Sequence, residues 1–205
     1  MILSGGSEMT GQSAAARIAG IMLAAGASRR MGCNKLLLQH AGEPLVRRAC
    51  RRALAAGLDP LIVVLGHESE RAQEALAGLA CRFAFNPDLG GPMSGSLRCG
   101  LEAVPADAQG AIVMLADMVH VSEQMLRTIM TAAQTSEALL VSSRYAQTLA
   151  PPVYFRRALF GELMASTGED CGKAVVDRHR EHVLYIDWPS AALKDVDTPE
   201  EFAAL

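Results

Sequence analysis

Short runs of residues that are apolar throughout recur along this chain, each followed by a stretch with helical spacing. Ile18–Ala24 is one such run, Pro60–Leu65 a second and Ala111–Ala116 a third. A strand wet on one face alternates apolar and polar residues, whereas one apolar at every position is covered on both faces. Between the runs, Leu45, Ala49 and Ala53 share one helical face after Gly42-Glu43-Pro44, and Gly57 closes that helix. Leu97, Leu101 and Val104 repeat the spacing, Ser122–Gln134 reads as another helix, and Ser69 is placed to cap one reaching about Ala77. Arg82–Phe85 and Ala138–Ser142 read as shorter strands. Strand and helix in turn specify an α/β chain: a single domain built on a doubly wound, mostly parallel, Rossmann-like sheet.

The pattern loosens from Tyr145 onward, around Pro151 and Pro152. Helices are expected near Arg156–Met164 and after Gly172, with a strand at Val183–Ile186. Thr198-Pro199-Glu200-Glu201 has the form of a capping box, Thr198 at the cap and Glu201 reaching back. At the other end, Met1–Arg17 is rich in Ser, Gly, Thr and Gln and lacks the basic start and apolar run of a signal peptide. Residues 1–17 are therefore expected to be a flexible tail, 18–205 the folded domain, and the cytoplasm its location.

Composition narrows the function. The net charge is −3, and no basic stripe with interleaved aromatics marks a nucleic-acid surface. The charge-free stretches Ile18–Ser28 and Tyr145–Phe155 fall well short of the ~20 apolar residues of a membrane helix. Five cysteines without a CxxC pair argue against a disulfide framework and against a zinc ribbon.

Chemistry concentrates in Leu23-Ala24-Ala25-Gly26-Ala27-Ser28-Arg29-Arg30-Met31-Gly32-Cys33-Asn34-Lys35. A buried strand runs into small residues, which let a ligand approach the backbone N–H groups, and then into cations. Arg30 can fork onto phosphate oxygens and Lys35 adds a point charge. Neither GxxxxGK[ST] nor GxGxxG is present, so this is not a Walker loop or a dinucleotide fingerprint. In α/β sheets ligands bind beyond the carboxyl ends of the strands, which singles out this loop and Asp117, the residue after the Ala111–Ala116 run.

The segment resembles the LAAGxSxRMGxxK signature of the MobA-like nucleotidyltransferases, and the molybdenum cofactor cytidylyltransferase branch in particular. Leu23, Ala24, Ala25, Gly26, Ser28, Arg30, Met31, Gly32 and Lys35 fall on that pattern. The resemblance implies a nucleotidyltransferase fold whose loop wraps an NTP, small residues at the base and Arg30 and Lys35 on the triphosphate. Asn86, with Met93-Ser94-Gly95-Ser96-Leu97-Arg98, is similar to the family's GMSSSLR segment, implying nucleotide contacts at Asn86, Ser94 and Ser96. A helix N-cap at either serine is an equally open reading and does not exclude contact. Leu115-Ala116-Asp117-Met118 resembles LxDMP, with Val119 in place of its proline, and Asp195-Val196-Asp197-Thr198-Pro199-Glu200-Glu201 resembles DIDTPED. Both imply Mg2+ as cofactor, held by Asp117 and by Asp197 in preference to Asp195. On the acceptor side Arg144-Tyr145 and Pro152-Val153-Tyr154-Phe155 match the family's approach to a PVLF-like strand. Ala146-Gln147-Thr148-Leu149-Ala150 stands where the family has glycines, and Gly168-Glu169-Asp170-Cys171-Gly172-Lys173 carries one more residue than GDxG.

What the resemblance implies is transfer of a nucleoside monophosphate, CMP from CTP, to a phosphorylated acceptor with release of pyrophosphate. Arg30, Lys35 and Asp117 would be catalytic, and Lys35 and Arg30 are expected to be exposed. The Ala24-Ala25 pair is the mark of the cytidylyl branch; the guanylyl branch more often has glycine second. Molybdopterin is the implied acceptor, its product passing to a molybdoenzyme or that enzyme's chaperone; no nucleic acid or membrane partner is implied. Two other classes stay open: a nucleotide-dependent oxidoreductase, against which the missing GxGxxG weighs, and a non-catalytic nucleotide-binding regulator on the same scaffold.

Overall fold

A computed structural model describes residues 17–26, 28, 31–193 and 198–203. Strand β1 (Ile18–Ala24) is central, with β4 (Leu61–Leu65) and β6 (Gly110–Leu115) pairing to it in parallel on either side. Beyond β4 lies β5 (Cys81–Phe85), also parallel. Beyond β6 come β8 (Thr148–Arg156), β7 (Leu140–Tyr145) and β9 (Val183–Trp188), so the seven strands run β5-β4-β1-β6-β8-β7-β9. Against β6 and β7, strand β8 is antiparallel, while β7 and β9 are parallel. The expected single-domain, mostly parallel α/β fold is what forms. A two-stranded hairpin, β2 (Gln39–His40) with β3 (Glu43–Pro44), stands apart from the main sheet.

The seven-residue run of β1 is buried at every position because both faces of the sheet are covered. Met22 and Ala24 turn toward α1 (Leu45–Ala56) and α4 (Glu123–Thr135), packing with Val46, Ala53 and Ile129. Ile21 and Leu23 turn the other way, among Leu97 and Leu101 of α3 (Met93–Glu102), Leu163 of α5 (Phe160–Ala165) and Val176 of α6 (Cys171–Arg178). Each fully buried aliphatic side chain contributes roughly 1.5–3 kcal/mol. Helix α3 sits close on the strands because Gly100 has no side chain: a Cβ there would lie 2.5 Å from Ile21 Cγ2. That approach carries the start of α3 toward the carboxyl ends of β1 and β4. No helix among the described residues is long and apolar enough to cross a membrane.

Several local expectations change. Helix α2 (Ser69–Ala75) is preceded by Glu68 in the left-handed region at φ 53°, so Ser69 is the first helical residue and not the cap. Gly42-Glu43-Pro44 belongs to the hairpin, and α1 begins only at Leu45. Helix α3 begins at Met93 behind Pro92, which places Ser94 and Ser96 inside the helix; neither is its N-cap. The expected tail, residues 1–17, lies outside the described residues apart from Arg17, which is tied to Asp59 and Asp107 at 2.9 and 3.0 Å. The capping box does form: Thr198 N–H donates to Glu201 Oε2 (2.9 Å) and Glu201 N–H to Thr198 Oγ1 (3.3 Å), opening α7 (Pro199–Ala203).

The main departure is β8, a nine-residue strand through the prolines where periodicity shows only loosening. Proline cannot donate to a ladder and is confined to edges and bulges. Here pairing with β6 covers only Val153–Arg156, and the register against β7 shifts between Ser142 and Arg144, so Pro151 and Pro152 occupy a bulge. Side chains take over the bonding at that point: Ser143 Oγ donates to Pro152 O (2.7 Å) and Tyr145 Oη to Pro151 O (3.0 Å). Burial pushes the Tyr145 phenol up to about 12, which keeps it a donor at neutral pH.

Candidate active site

A cavity of about 330 Å3 opens at the carboxyl ends of β1 and β6, where the loop after β1, the loop after β5 and the start of α3 converge. Leu23, Ala24, Ala25 and Gly26 form its floor. Ala25 lies directly on the residue after β4, since a Cβ on Gly66 would come within 2.9 Å of the Ala25 carbonyl oxygen. Any side chain at 66 therefore lifts the floor.

The loop then folds back on itself. Ser28 adopts φ 49°, its carbonyl accepts from Met31 N–H (2.9 Å), and its hydroxyl accepts from Lys35 N–H (3.2 Å). Asn34 caps a 3-10 turn over Lys35–Leu37 by accepting from Leu36 N–H. Together these bonds turn Lys35 inward, contrary to the expectation of an exposed cation: it is 9% exposed. Its Nζ lies 2.7 Å from Asp117 Oδ2. Arg30 falls outside the described residues, as do Asp195 and Asp197.

Asp117 follows β6, which runs beside β1 with Leu23 opposite Leu115 and with Ala116 N–H donating to Leu23 O at 3.2 Å. The signature loop and this carboxylate therefore meet across one strand pair. Asp117 Oδ1 is buried with no hydrogen-bond partner among the described residues. A buried polar atom left unpaired costs about 1–3 kcal/mol, more when charged, so its presence in a cavity wall points to a ligand.

Asn86, at the end of β5, is buried and braces the opposite wall. Its Nδ2 donates to Ser96 Oγ (2.9 Å) and its Oδ1 accepts from Asp88 N–H (3.0 Å). Asn86 and Ser96 border the cavity; Ser94 is buried and does not, its N–H donating to Gly168 O (3.2 Å). Gly91 and Glu169 border it without having been singled out as ligands by sequence. The Glu169 carboxylate accepts from Met93 N–H at the start of α3 (3.2 Å), joining the segment before α6 to that helix at the cavity. Only proximity in space reveals this, because the two residues are 76 apart in the chain. His120 is exposed and does not border the cavity.

The chain is similar to known proteins in sequence and in fold. PucB, a purine catabolism protein of Bacillus subtilis, is 28% identical over 198 residues, covering 89% of this chain and 93% of its own. A "Probable molybdenum cofactor guanylyltransferase" of Natronomonas pharaonis is 37% identical over 123 residues, 58% of each chain. Among solved structures, Rv0371c of Mycobacterium tuberculosis superimposes with a TM-score of 0.83 at 29% identity, covering 93% of this chain and 98% of that one. The same protein in complex with manganese gives 0.79 at 28% identity, with 92% and 97% covered. Residues 20–183 match the family model described as the MobA-like NTP transferase domain. That match takes in both strand ends at the cavity, and the chain belongs to the MobA-like nucleotidyltransferase family.

Proposed function

We propose that this chain transfers CMP from CTP to the phosphate of molybdopterin, releasing pyrophosphate, with Mg2+ as the resident ion. The observation that carries the reading is the Lys35–Asp117 pair in the cavity wall, with one Asp117 oxygen buried and unpaired among the described residues. Hard dications take oxygen donors, and a single carboxylate beside a triphosphate is a common way to hold Mg2+. Asp117 and Asp197 are the residues proposed to hold it, and the manganese complex of Rv0371c supports a divalent ion in a homologous fold. When bound, the ion neutralises phosphate charge and polarises the reacting centre.

An acceptor phosphate oxygen attacks the α-phosphorus; the new P–O bond forms as the α–β bridge breaks, and its electron pair leaves on pyrophosphate. Such transfers depend on positioning and charge compensation more than on covalent help. The acceptor phosphate is already ionised near neutral pH and needs no base. Lys35 and Arg30 compensate the charge of the departing pyrophosphate, Lys35 releasing Asp117 as the triphosphate enters. Backbone at Ala24–Gly26 faces the base, and the Asn86–Ser96 pair fixes the far wall.

The Ala24-Ala25 pair and the resemblance to the cytidylyl branch support cytosine over guanine as the base. The Natronomonas relative's name supports a molybdenum cofactor acceptor. Pyrophosphate release from CTP, GTP, ATP and UTP, with Mg2+ and molybdopterin, tests the proposal. CTP should turn over fastest. A preference for GTP would overturn the base assignment, and no release from any of the four would overturn the reaction.

A further inference from the structure

Asp117 sits where β6 gives way to a loop, and the backbone bonds of that loop are all local. Met118 N–H donates to Leu115 O (3.4 Å), Val119 N–H to Asp117 O (2.9 Å) and Val121 N–H to Met118 O (3.1 Å). The side chains of Met118 and Val121 are buried in the core, which seats the loop without fixing the peptides between them. Val119 stands where the LxDMP pattern has proline, so no ring holds φ at about −65° at that point. Among the described residues, no backbone N–H reaches the carbonyl of Val119 or of Val121.

Arg52 of α1 reaches both. Its Nη1 donates to Val119 O (2.6 Å) and to Val121 O (3.0 Å). The side chain is half-buried and makes no ion pair with a carboxylate among the described residues; Arg51 beside it is exposed and pairs with Glu43 at 2.7 Å. Burial, and after it the charges of Arg48 and Arg51, lower the Arg52 pKa from its ordinary value, and a guanidinium keeps its charge at neutral pH even so. Drawing a cation out of water without a carboxylate to meet it is costly, and the two carbonyls are what this one gains. Because Val119 N–H is itself bonded to Asp117 O, a continuous line of bonds runs from Arg52 through Val119 to Asp117.

We propose that Arg52 is a positioning residue for Asp117, pinning the loop behind that carboxylate so that its unpaired oxygen stays aimed into the cavity. The inference rests on the reading of Asp117 as a holder of the divalent ion. Arg52 does not border the cavity and acts only through the loop. An ion held by one or two carboxylates depends on their aim, and the partners that orient such ligands are worth about 10–100-fold in metal affinity. The same helix supplies a control. Arg47 Nη1 also donates to two carbonyls, Ala75 O (3.0 Å) and Ala77 O (2.9 Å), but these lie at the end of α2 and do not border the cavity.

Calorimetric titration of the whole chain with CTP, once with Mn2+ and once with EDTA, tests this, since the ratio of the two affinities is the ion's share of binding. Arg52→Met should cut that ratio about 10-fold and leave the affinity in EDTA unchanged. Arg52→Lys, which keeps a donor on a similar stem, should fall between wild type and Arg52→Met, and it carries the test if the methionine variant does not fold. Arg47→Met removes a clamp of the same form, so it should lower the melting temperature as Arg52→Met does while leaving the ratio alone. An unchanged ratio in every folded Arg52 variant, an equal loss in Arg47→Met, or an equal loss with and without the ion would overturn the inference, since each makes the clamp merely structural. The two claims fail separately: a wild type that binds CTP no better with Mn2+ removes the ion from Asp117, whereas a metal-dependent wild type beside an indifferent Arg52→Met removes only the role of Arg52.

Discussion

Two adjoining cavities are built by opposite means. The donor cavity lies over parallel strands β1 and β6 and is lined by backbone, small residues and a charged pair. The second, a slot beside it, lies against antiparallel β8 and is lined chiefly by aliphatic side chains and one phenyl ring. Parallel strand ends leave loops whose free N–H groups meet phosphates, a recognition common to every NTP. A reversed strand with a proline bulge presents side chains instead, and these can vary without disturbing the sheet. On the proposed function, the chemistry common to NTPs falls to the first cavity, at the parallel strand ends.

The largest separation of the two is expected from Lys35→Met. Removing a preorganised charged donor costs about 10²–10³ in rate, read as pyrophosphate release. The change also strands Asp117. Because the pair is 11% and 21% exposed, the stability loss should fall below the ~3–5 kcal/mol of a fully buried pair, at about 1–3 kcal/mol. Mn2+ should then raise the melting temperature of the variant more than that of the wild type, since Asp117 no longer has an internal cation to give up. An equal or smaller rise would break the claim that Lys35 and the ion share one carboxylate.

Gly66→Ala is a subtler test of the donor floor. The new Cβ displaces Ala25, so CTP affinity should fall about 10-fold, with about 1–3 kcal/mol of overpacking cost in stability. An unchanged titration would show that the floor at Ala25 does not touch the base.

Away from the first cavity, Glu162 joins α5 to α6 through His179 (2.7 Å) and Arg178, and the His179 and Arg178 contacts hold its carboxyl below the usual range. A depressed folded pKa adds stability that is present above the unfolded value of about 4.3 and is lost as pH falls through the folded one. Glu162→Gln should therefore lower the melting temperature slightly at pH 7 and remove part of the acid sensitivity below about pH 4.3, with no effect on CTP binding. Identical acid melting curves would show that this link adds nothing to the packing of α5 on α6.

What could be read from sequence follows the same division. Strands β1, β4 and β6 announce themselves because burial on both faces leaves continuous apolar runs, and the loop after β1 lies in a single segment with Asp117 at a strand end. Strand β8 was obscured in periodicity by Pro151 and Pro152, whose missing donors are offset by Ser143 and Tyr145, a compensation visible only in three dimensions. The inward turn of Lys35 depends on bonds from Ser28 and Asn34 that composition does not show, and the bracing of α3 by Glu169 joins residues far apart in the chain. Ser69 has the residue type of a cap, but Glu68 takes up the left-handed turn before α2 and fills that position.

The central claim is that Asp117 stands at the reacting phosphates, and it is tested most directly by pyrophosphate release from CTP and molybdopterin as a function of Mg2+ concentration, wild type beside Asp117→Asn. The substitution keeps the size of the side chain and one oxygen while removing the charge. Release in the wild type should depend on Mg2+, and the variant should be slower by about 10²–10³ with more Mg2+ needed for half its rate. Release at the wild-type rate with the wild-type Mg2+ requirement would contradict the account.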